Sequence, residues 1–159
     1  MLRRILVSSA VAQVSSLAPS AACPVGSTLR WIRDVVIELQ FCPWAARAVV
    51  SPRFHLEFIE DEDILLATNR AMKSLVAETA ESTTLLALNS ISFDQFLNLA
   101  SAVDDQIDSN HLRGKIQLAH FHPDYRFAHA PDQDPGHYTN RSPFPLLHFL
   151  REDDITNAL

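Results

Sequence analysis

Glycine is scarce in this chain, with three among 159 residues. The Walker A loop, the GxGxxG loop and the GxSxG elbow each need glycines at short fixed spacings, because their backbones bend sharply or approach a ligand closely. None of these motifs occurs in the sequence. Nucleotide binding or nucleophilic catalysis built on those loops is therefore excluded.

Cysteine and long apolar runs are scarce as well. The two cysteines, Cys23 and Cys42, form no CxxC motif, so neither a disulfide scaffold nor a cysteine-rich zinc site is expected and a reducing compartment is favoured. No run of about eighteen apolar residues exists in the sequence, which excludes a membrane-spanning helix. A chain that is 47% apolar and 20% charged has instead the composition of one globular domain with a sizeable core.

Basic residues are too few and too scattered to bind nucleic acid. Residues 1–33 carry four arginines and no acid, which leaves nine basic and nineteen acidic residues in the remainder, a net charge of −10. A body with this charge repels phosphate backbones and anionic membrane surfaces. We therefore expect no nucleic-acid partner and no membrane partner.

The first 26 residues differ from the rest. They carry arginine, are rich in serine and alanine and contain no acid, which is typical of a mitochondrial or plastid transit peptide. Polar residues interrupt the apolar core that a secretory signal needs. We expect a transit peptide or disordered extension over 1–26, a single globular domain over 27–159, and a location in the mitochondrial matrix or the plastid stroma. Without a transit peptide, the cytoplasm is the expected location.

Hydrophobic periodicity predicts alternating helices and strands. Helices are predicted over 28–40, with a second short helix over 43–50, and over 64–76 and 92–107. Strands are predicted over three segments: 53–60, 83–89 and 114–122. Ser142 as an N-cap and Pro143 at the first helical position predict a closing helix with an apolar stripe of Leu146, Leu147 and Leu150.

The order of these elements predicts the fold class. Consecutive strand–helix–strand units favour parallel strands joined by right-handed crossovers. We therefore predict an α/β fold, a small sandwich with about three core, mostly parallel strands and four helices. An α+β ferredoxin-like arrangement, in which an irregular segment after residue 122 supplies another strand, is the alternative.

The segment from 120 to 152 holds five of the seven histidines and five of the nine prolines. His120 and His122 alternate onto one face of the third predicted strand, and Asp124 and Tyr125 follow at its carboxyl end, where α/β proteins place ligands. Two imidazoles and a carboxylate could hold a metal, or His122 could bond to the backbone where Pro123 ends the strand. We predict no bound metal and no cofactor.

A second candidate is formed by Asn140, Arg141 and Ser142. They precede a predicted helix whose free N–H groups attract anions, and the fork of Arg141 could clamp the carboxylate or phosphate of a small ligand. Alternatively, Arg141 could pair with an aspartate of the loop and pin it. Cys42 lies next to a predicted helix N-terminus and is either a reactive thiol or a small packed side chain.

These residues resemble a known family. The blocks that carry the resemblance span roughly residues 28–155 and occur in this order: Trp31-Ile-Arg-Asp-Val-Val-Ile, Cys42-Pro-Trp-Ala, Thr83-Thr-Leu-Leu, Phe121-His-Pro-Asp-Tyr, Asn140-Arg-Ser-Pro-Phe-Pro and Leu147-His-Phe-Leu-Arg-Glu. They are similar to the domain-of-unknown-function 1415 family, which implies no activity. The resemblance places these residues at motif positions: His122, Asp124, Tyr125, Asn140, Arg141, Ser142 and Cys42. The chain departs from the family pattern at His120, where serine is usual, and this weakens a metal pair with His122.

Two functions remain open at this stage. In the first, His122, Asp124, Tyr125, Asn140 and Arg141 build a polar pocket for a small anionic ligand or substrate, with His122 as general acid or base. In the second, the same residues form a hydrogen-bonded buckle that holds the proline-rich loop of a non-catalytic structural or assembly domain. A site opens onto a cavity, whereas a buckle is packed shut. The sequence leaves open whether the protein is an enzyme and what its oligomeric state is.

Overall fold

The structure is a computed structural model that describes residues 23–60 and 63–158. Its α-helices are α1 Pro24–Trp31, α2 Ala45–Val49, α3 Ile64–Ala77, α4 Phe93–Ser109 and α5 Glu152–Ala158. A π-helical segment, Ile32–Ile37, continues α1, and a 3-10 helix spans Pro135–Asn140. The strands are β1 Phe54–Ile59, β2 Thr83–Leu88, β3 Ile116–Phe121 and β4 Leu146–Arg151. Most of the predicted N-terminal extension lies outside the described residues.

The four strands form one mixed sheet in the order β1-β2-β4-β3. β1 and β2 are parallel, whereas β4 is antiparallel to both β2 and β3. The first three strands therefore run in one direction, as the strand–helix–strand units predict, but β4 lies between the second and the third. The mixed α/β class is confirmed. The additional strand comes from the chain after residue 122, as the alternative expected.

Helices cover both faces of the sheet. On one face, α3 and α4 pack over a core that includes Phe96 and Phe149. On the other face, α1 and the π-helical segment pack over a second core that includes Ile32 and Leu85. All six residues of β2 are buried because this strand passes between the two cores, which is what its continuous apolar run predicts.

Capping residues set the starts of the two long helices. The Asp63 carboxylate accepts hydrogen bonds from the backbone N–H groups of Leu65 at 2.9 Å and Leu66 at 3.3 Å, at the start of α3. Ser92 and Gln95 form the predicted capping box at the start of α4. Each side chain of the box satisfies a backbone N–H that the first helical turn leaves unpaired.

The predicted closing helix is wrong, because residues 146–151 form β4. A helix would bury Leu146, Leu147 and Leu150 and leave Phe149 outside, yet Phe149 is fully buried. As a strand, the segment buries Leu147 and Phe149 under α3 and α4 and buries Leu146 against the N-terminal helices. Burial on both faces of an inner strand overrides the local helix signal. Ser142 therefore caps no helix, and the last helix begins at Glu152.

Candidate functional site

The two segments with candidate site residues, HPDY (residues 122–125) and NRSP (residues 140–143), lie side by side. The backbone N–H of His122 donates to the carbonyl of Asn140 at 3.1 Å, and the Asn140 side-chain amide donates to the carbonyl of His120 at 3.1 Å. Nε of Arg141 donates to the carbonyl of Tyr125 at 3.3 Å. The structure thus brings the two segments together across the long loop that separates them in sequence.

His122 is held by backbone groups on both ring nitrogens. Its side chain is almost fully buried, and Nδ1 accepts a hydrogen bond from the backbone N–H of Asp124 at 3.0 Å. Because Nδ1 accepts, the ring proton lies on Nε2, which is 3.0 Å from the carbonyl of Ile91. The rings of Phe93 and Phe96 lie 5.2 Å from the imidazole. This is the bonding pattern of a structural histidine.

His137 repeats the same pattern within the loop. Its Nδ1 accepts from the backbone N–H of Phe127 at 3.2 Å, and its Nε2 lies 2.8 Å from the carbonyl of Pro131. The side chain is 1% exposed. Two buried histidines therefore fasten the proline-rich loop to itself and to the connection between β2 and α4, because each one pairs two backbone groups that the irregular chain leaves without regular partners.

The remaining predicted site residues have different environments. Tyr125 is buried, and this burial raises the pKa of its hydroxyl. Arg141 lies with its guanidinium carbon 4.4 Å from the ring centroid of Tyr138, and no ion pair joins it to a carboxylate of the described residues. Asp124 is exposed, whereas the Ser142 hydroxyl donates to the carbonyl of Phe144 at 2.6 Å. Most of these polar groups bond to neighbouring backbone, which is the arrangement expected of a buckle.

A cavity of about 390 Å³ lies on the opposite face of the sheet, between the N-terminal helices and strands β2, β3 and β4. This N-terminal cavity has a mainly aromatic and aliphatic wall, which includes Trp31, Ile32, Val36, Trp44, Ala48, Val49, Phe54, Leu85, Phe121 and Leu150. Both its size and its apolar lining are those of small-molecule sites in proteins.

The π-helical segment supplies part of the cavity wall. The backbone N–H of Glu38 donates to the carbonyl of Arg33, five residues earlier, at 3.2 Å. The π-helical segment carries Ile32 and Val36, which both line the cavity. Single π-helical turns inside helices occur frequently at functional sites.

His148 and Thr83 form a polar pair on the cavity floor. Nε2 of His148 lies 2.6 Å from Oγ1 of Thr83, and the same hydroxyl donates to the carbonyl of Phe149 at 3.2 Å. Burial lowers the pKa of His148 to about 4, so the imidazole is uncharged at neutral pH. An apolar wall with one fixed polar pair is the composition that orients a bound molecule.

Charged residues rim the cavity in opposite-sign pairs. Arg53 lies 3.6 Å from Glu78, and Arg151 lies 3.8 Å from Asp154 while it also donates to the carbonyl of Ala80. A neighbouring polar pocket shares Arg151 and Asp154 with the cavity. The mouth is therefore polar and close to charge balance.

Cys42 is a half-buried residue of the cavity wall, whereas Cys23 is exposed at the start of α1. That the Cys42 thiol is reactive stays a prediction. The predicted closing helix kept His148 out of the candidate site residues. The run of residues 146–150, apolar on both alternating faces except at His148, is the signal that would have identified an inner strand with a histidine on it.

No group of three metal-ligating side chains occurs among residues 23–60 and 63–158. His120 has a buried Nδ1 without a hydrogen-bond partner. Burial lowers the pKa of His120, and the negative charge of Asp104 opposes this shift only in part. His122 has both ring nitrogens bonded to backbone groups.

Within the part of the chain that the structure describes, no helix is long and apolar enough to cross a membrane.

Comparison with known proteins yields one family. The family model described as protein of unknown function (DUF1415) matches residues 25–159. Neither a search of curated proteins nor a search of solved structures gives a match. The match covers the whole sheet, the HPDY and NRSP segments and the cavity.

Proposed function

The chain belongs to the DUF1415 family, and we propose that it is a binding domain whose small, mainly apolar ligand occupies the N-terminal cavity. The observation that carries this proposal is the cavity itself, with its apolar wall and one polar pair, Thr83 and His148, on its floor. A cavity of this volume lies within the range that encloses small ligands.

The energetic case rests on the lining. Transfer of apolar surface from water into such a wall is favourable by about 25 cal/mol per Å². Filling the cavity would also restore dispersion contacts that its wall atoms lack on one side. Of the charged rim, the Arg53–Glu78 pair is partly exposed to solvent, whereas the Arg151–Asp154 pair is largely covered by the protein.

For the HPDY and NRSP segments we propose the structural role, in which they act as a buckle for the loop. The support is that the backbone N–H of His122 donates to the carbonyl of Asn140, while the Asn140 side-chain amide donates to the carbonyl of His120, just before the HPDY segment. The alternative is a small anionic ligand held at Arg141, with His122 in acid–base chemistry. It draws support from the lack of an ion pair for Arg141 within the described residues.

Tryptophan fluorescence tests the cavity proposal directly. The chain has two tryptophans, Trp31 and Trp44, and both line the cavity. A transparent apolar probe, 1-octanol, is expected to shift their emission to shorter wavelength in a saturable manner, because it displaces water from the indoles.

Two alanines of α2 provide matched variants for this titration. Ala48→Leu places a larger side chain in the cavity wall and so narrows the cavity. It is expected to weaken 1-octanol binding several-fold, because the ligand and the larger side chain then compete for the same space. Ala46→Leu makes the same change on the solvent side of the same helix and should leave binding unchanged. A linear, non-saturable response, or equal responses of the two variants, would contradict the proposed function.

A further inference from the structure

The proton on the Thr83 hydroxyl determines the tautomer of His148. A threonine hydroxyl has one hydrogen, and the carbonyl of Phe149, at 3.2 Å, can only accept it. Nε2 of His148, at 2.6 Å from the same oxygen, must then be the donor if both hydrogen bonds form. The imidazole therefore carries its proton on Nε2, and Nδ1 is left with a lone pair.

This lone pair faces accessible space. Nδ1 of His148 has no hydrogen-bond partner among the described residues. It is also not one of the fully buried polar atoms, so a ligand can reach it. Since His148 lines the cavity, the space that Nδ1 reaches is the cavity itself. An acceptor in a largely apolar cavity binds most favourably to a group that donates a hydrogen bond.

Among residues 23–60 and 63–158, an ionised ligand finds no unpaired counter-charge at this position. The titratable residues that share the cavity wall with His148 are Cys42, Arg53, Glu81, Arg151 and Asp154. The two arginines are each paired with a carboxylate. His148 itself is uncharged at neutral pH, because its burial lowers its pKa. A carboxylate brought to the cavity floor would lose its hydration without gaining an unpaired cation.

We propose that the cavity selects uncharged, mainly apolar molecules that carry a hydroxyl group, and that this hydroxyl donates a hydrogen bond to Nδ1 of His148. The inference rests on the proposed function, because it names the ligand class of the same cavity. His148 is the residue that determines specificity, and Thr83 positions it by fixing the tautomer.

Two isomeric probes isolate the hydrogen bond. 1-Octanol can donate one, whereas 1-methoxyheptane has the same atoms and a similar shape but can only accept. With the full-length chain, tryptophan emission is expected to report binding of 1-octanol about 2- to 10-fold tighter than binding of 1-methoxyheptane, which corresponds to one net hydrogen bond. Octanoate at pH 7 is expected to bind more weakly than 1-octanol.

Variants assign that difference to the polar pair. In His148→Phe the preference for 1-octanol over its isomer should disappear. Thr83→Val keeps the shape of this buried strand residue. The preference for 1-octanol should shrink in this variant, because the Thr83 hydroxyl no longer keeps the imidazole proton on Nε2. Equal affinities of the wild-type chain for the two isomers, or octanoate as the tightest probe, would overturn the hydroxyl selectivity and leave the cavity function intact. If none of the three probes binds, both proposals fail.

Discussion

Thr83 on β2 and His148 on β4 meet at 2.6 Å on the face of the sheet that floors the N-terminal cavity. The contact depends on the antiparallel pairing of these strands, in which Thr83 is opposite Leu150 and Leu85 is opposite His148. A closing helix would instead have grouped His148 with Arg151 and Glu152. The contact between Thr83 and His148 therefore follows from the pairing of β2 with β4, which the local sequence does not predict.

The protonation of His148 predicts a specific loss of stability in acid. Its folded pKa, about 4, lies below the ordinary histidine value of 6.5, so the unfolded chain binds a proton first as the pH falls. Stability should therefore decrease between roughly pH 6.5 and 4, by about 2 kcal/mol from pH 7 to 5 for this group. Denaturant unfolding at several pH values measures it, with His148→Phe as the control that lacks this component. Parallel stability curves for the two proteins would refute the assignment.

Phe149 tests the strand assignment of residues 146–151. Phe149→Ala should destabilise the protein by about 3–5 kcal/mol, because the side chain is fully buried under α3 and α4. Phe127→Ala, at an exposed phenylalanine of the loop, should cost much less. Chemical denaturation of both variants gives the comparison. Near-equal losses would mean that Phe149 lies outside the core, as the closing helix had predicted.

Sequence reasoning identified the elements whose signals are local. The capping box of Ser92 and Gln95 and the continuous apolar run of β2 both specify their element without knowledge of its neighbours. The prediction for the closing segment was wrong because Ser142 and Pro143 give a strong local helix signal, while the strand depends on long-range pairing with β2 and β3. The cavity could not be foreseen for the same reason, since its wall combines distant parts of the chain.

His122 should contribute to stability without contributing to binding in the cavity. His122→Phe keeps an aromatic ring against Phe93 and Phe96 but leaves the backbone groups of Ile91 and Asp124 without their partner. We expect a loss of about 1–3 kcal/mol, because a buried group left unpaired costs roughly that amount and the two groups here are only partly buried.

The control for this variant is His129→Phe, at an exposed position of the same loop, where a change within about 0.5 kcal/mol is expected. Binding of 1-octanol should survive in both proteins. Loss of binding in a folded His122→Phe protein would favour the catalytic interpretation of the HPDY segment over the buckle.

The N-terminal segment carries a separate prediction. Its acid-free, arginine-bearing composition favours organellar import with cleavage near residue 26. N-terminal sequencing of the protein from its own cells should then find a mature start close to that position. An intact Met1 or Leu2 would exclude cleavage.

Nuclear magnetic resonance separates the cavity from the buckle as the place where a ligand binds. During a titration with 1-octanol, the indole N–H signals of Trp31 and Trp44 and the side-chain amide of Gln117 should shift together and saturate, since all three residues line the cavity. The side-chain amide of Asn140, which is bonded to the carbonyl of His120, should remain in place. A shift at Asn140 with unmoved indoles, or no shift at any of these groups, would contradict ligand binding in the N-terminal cavity.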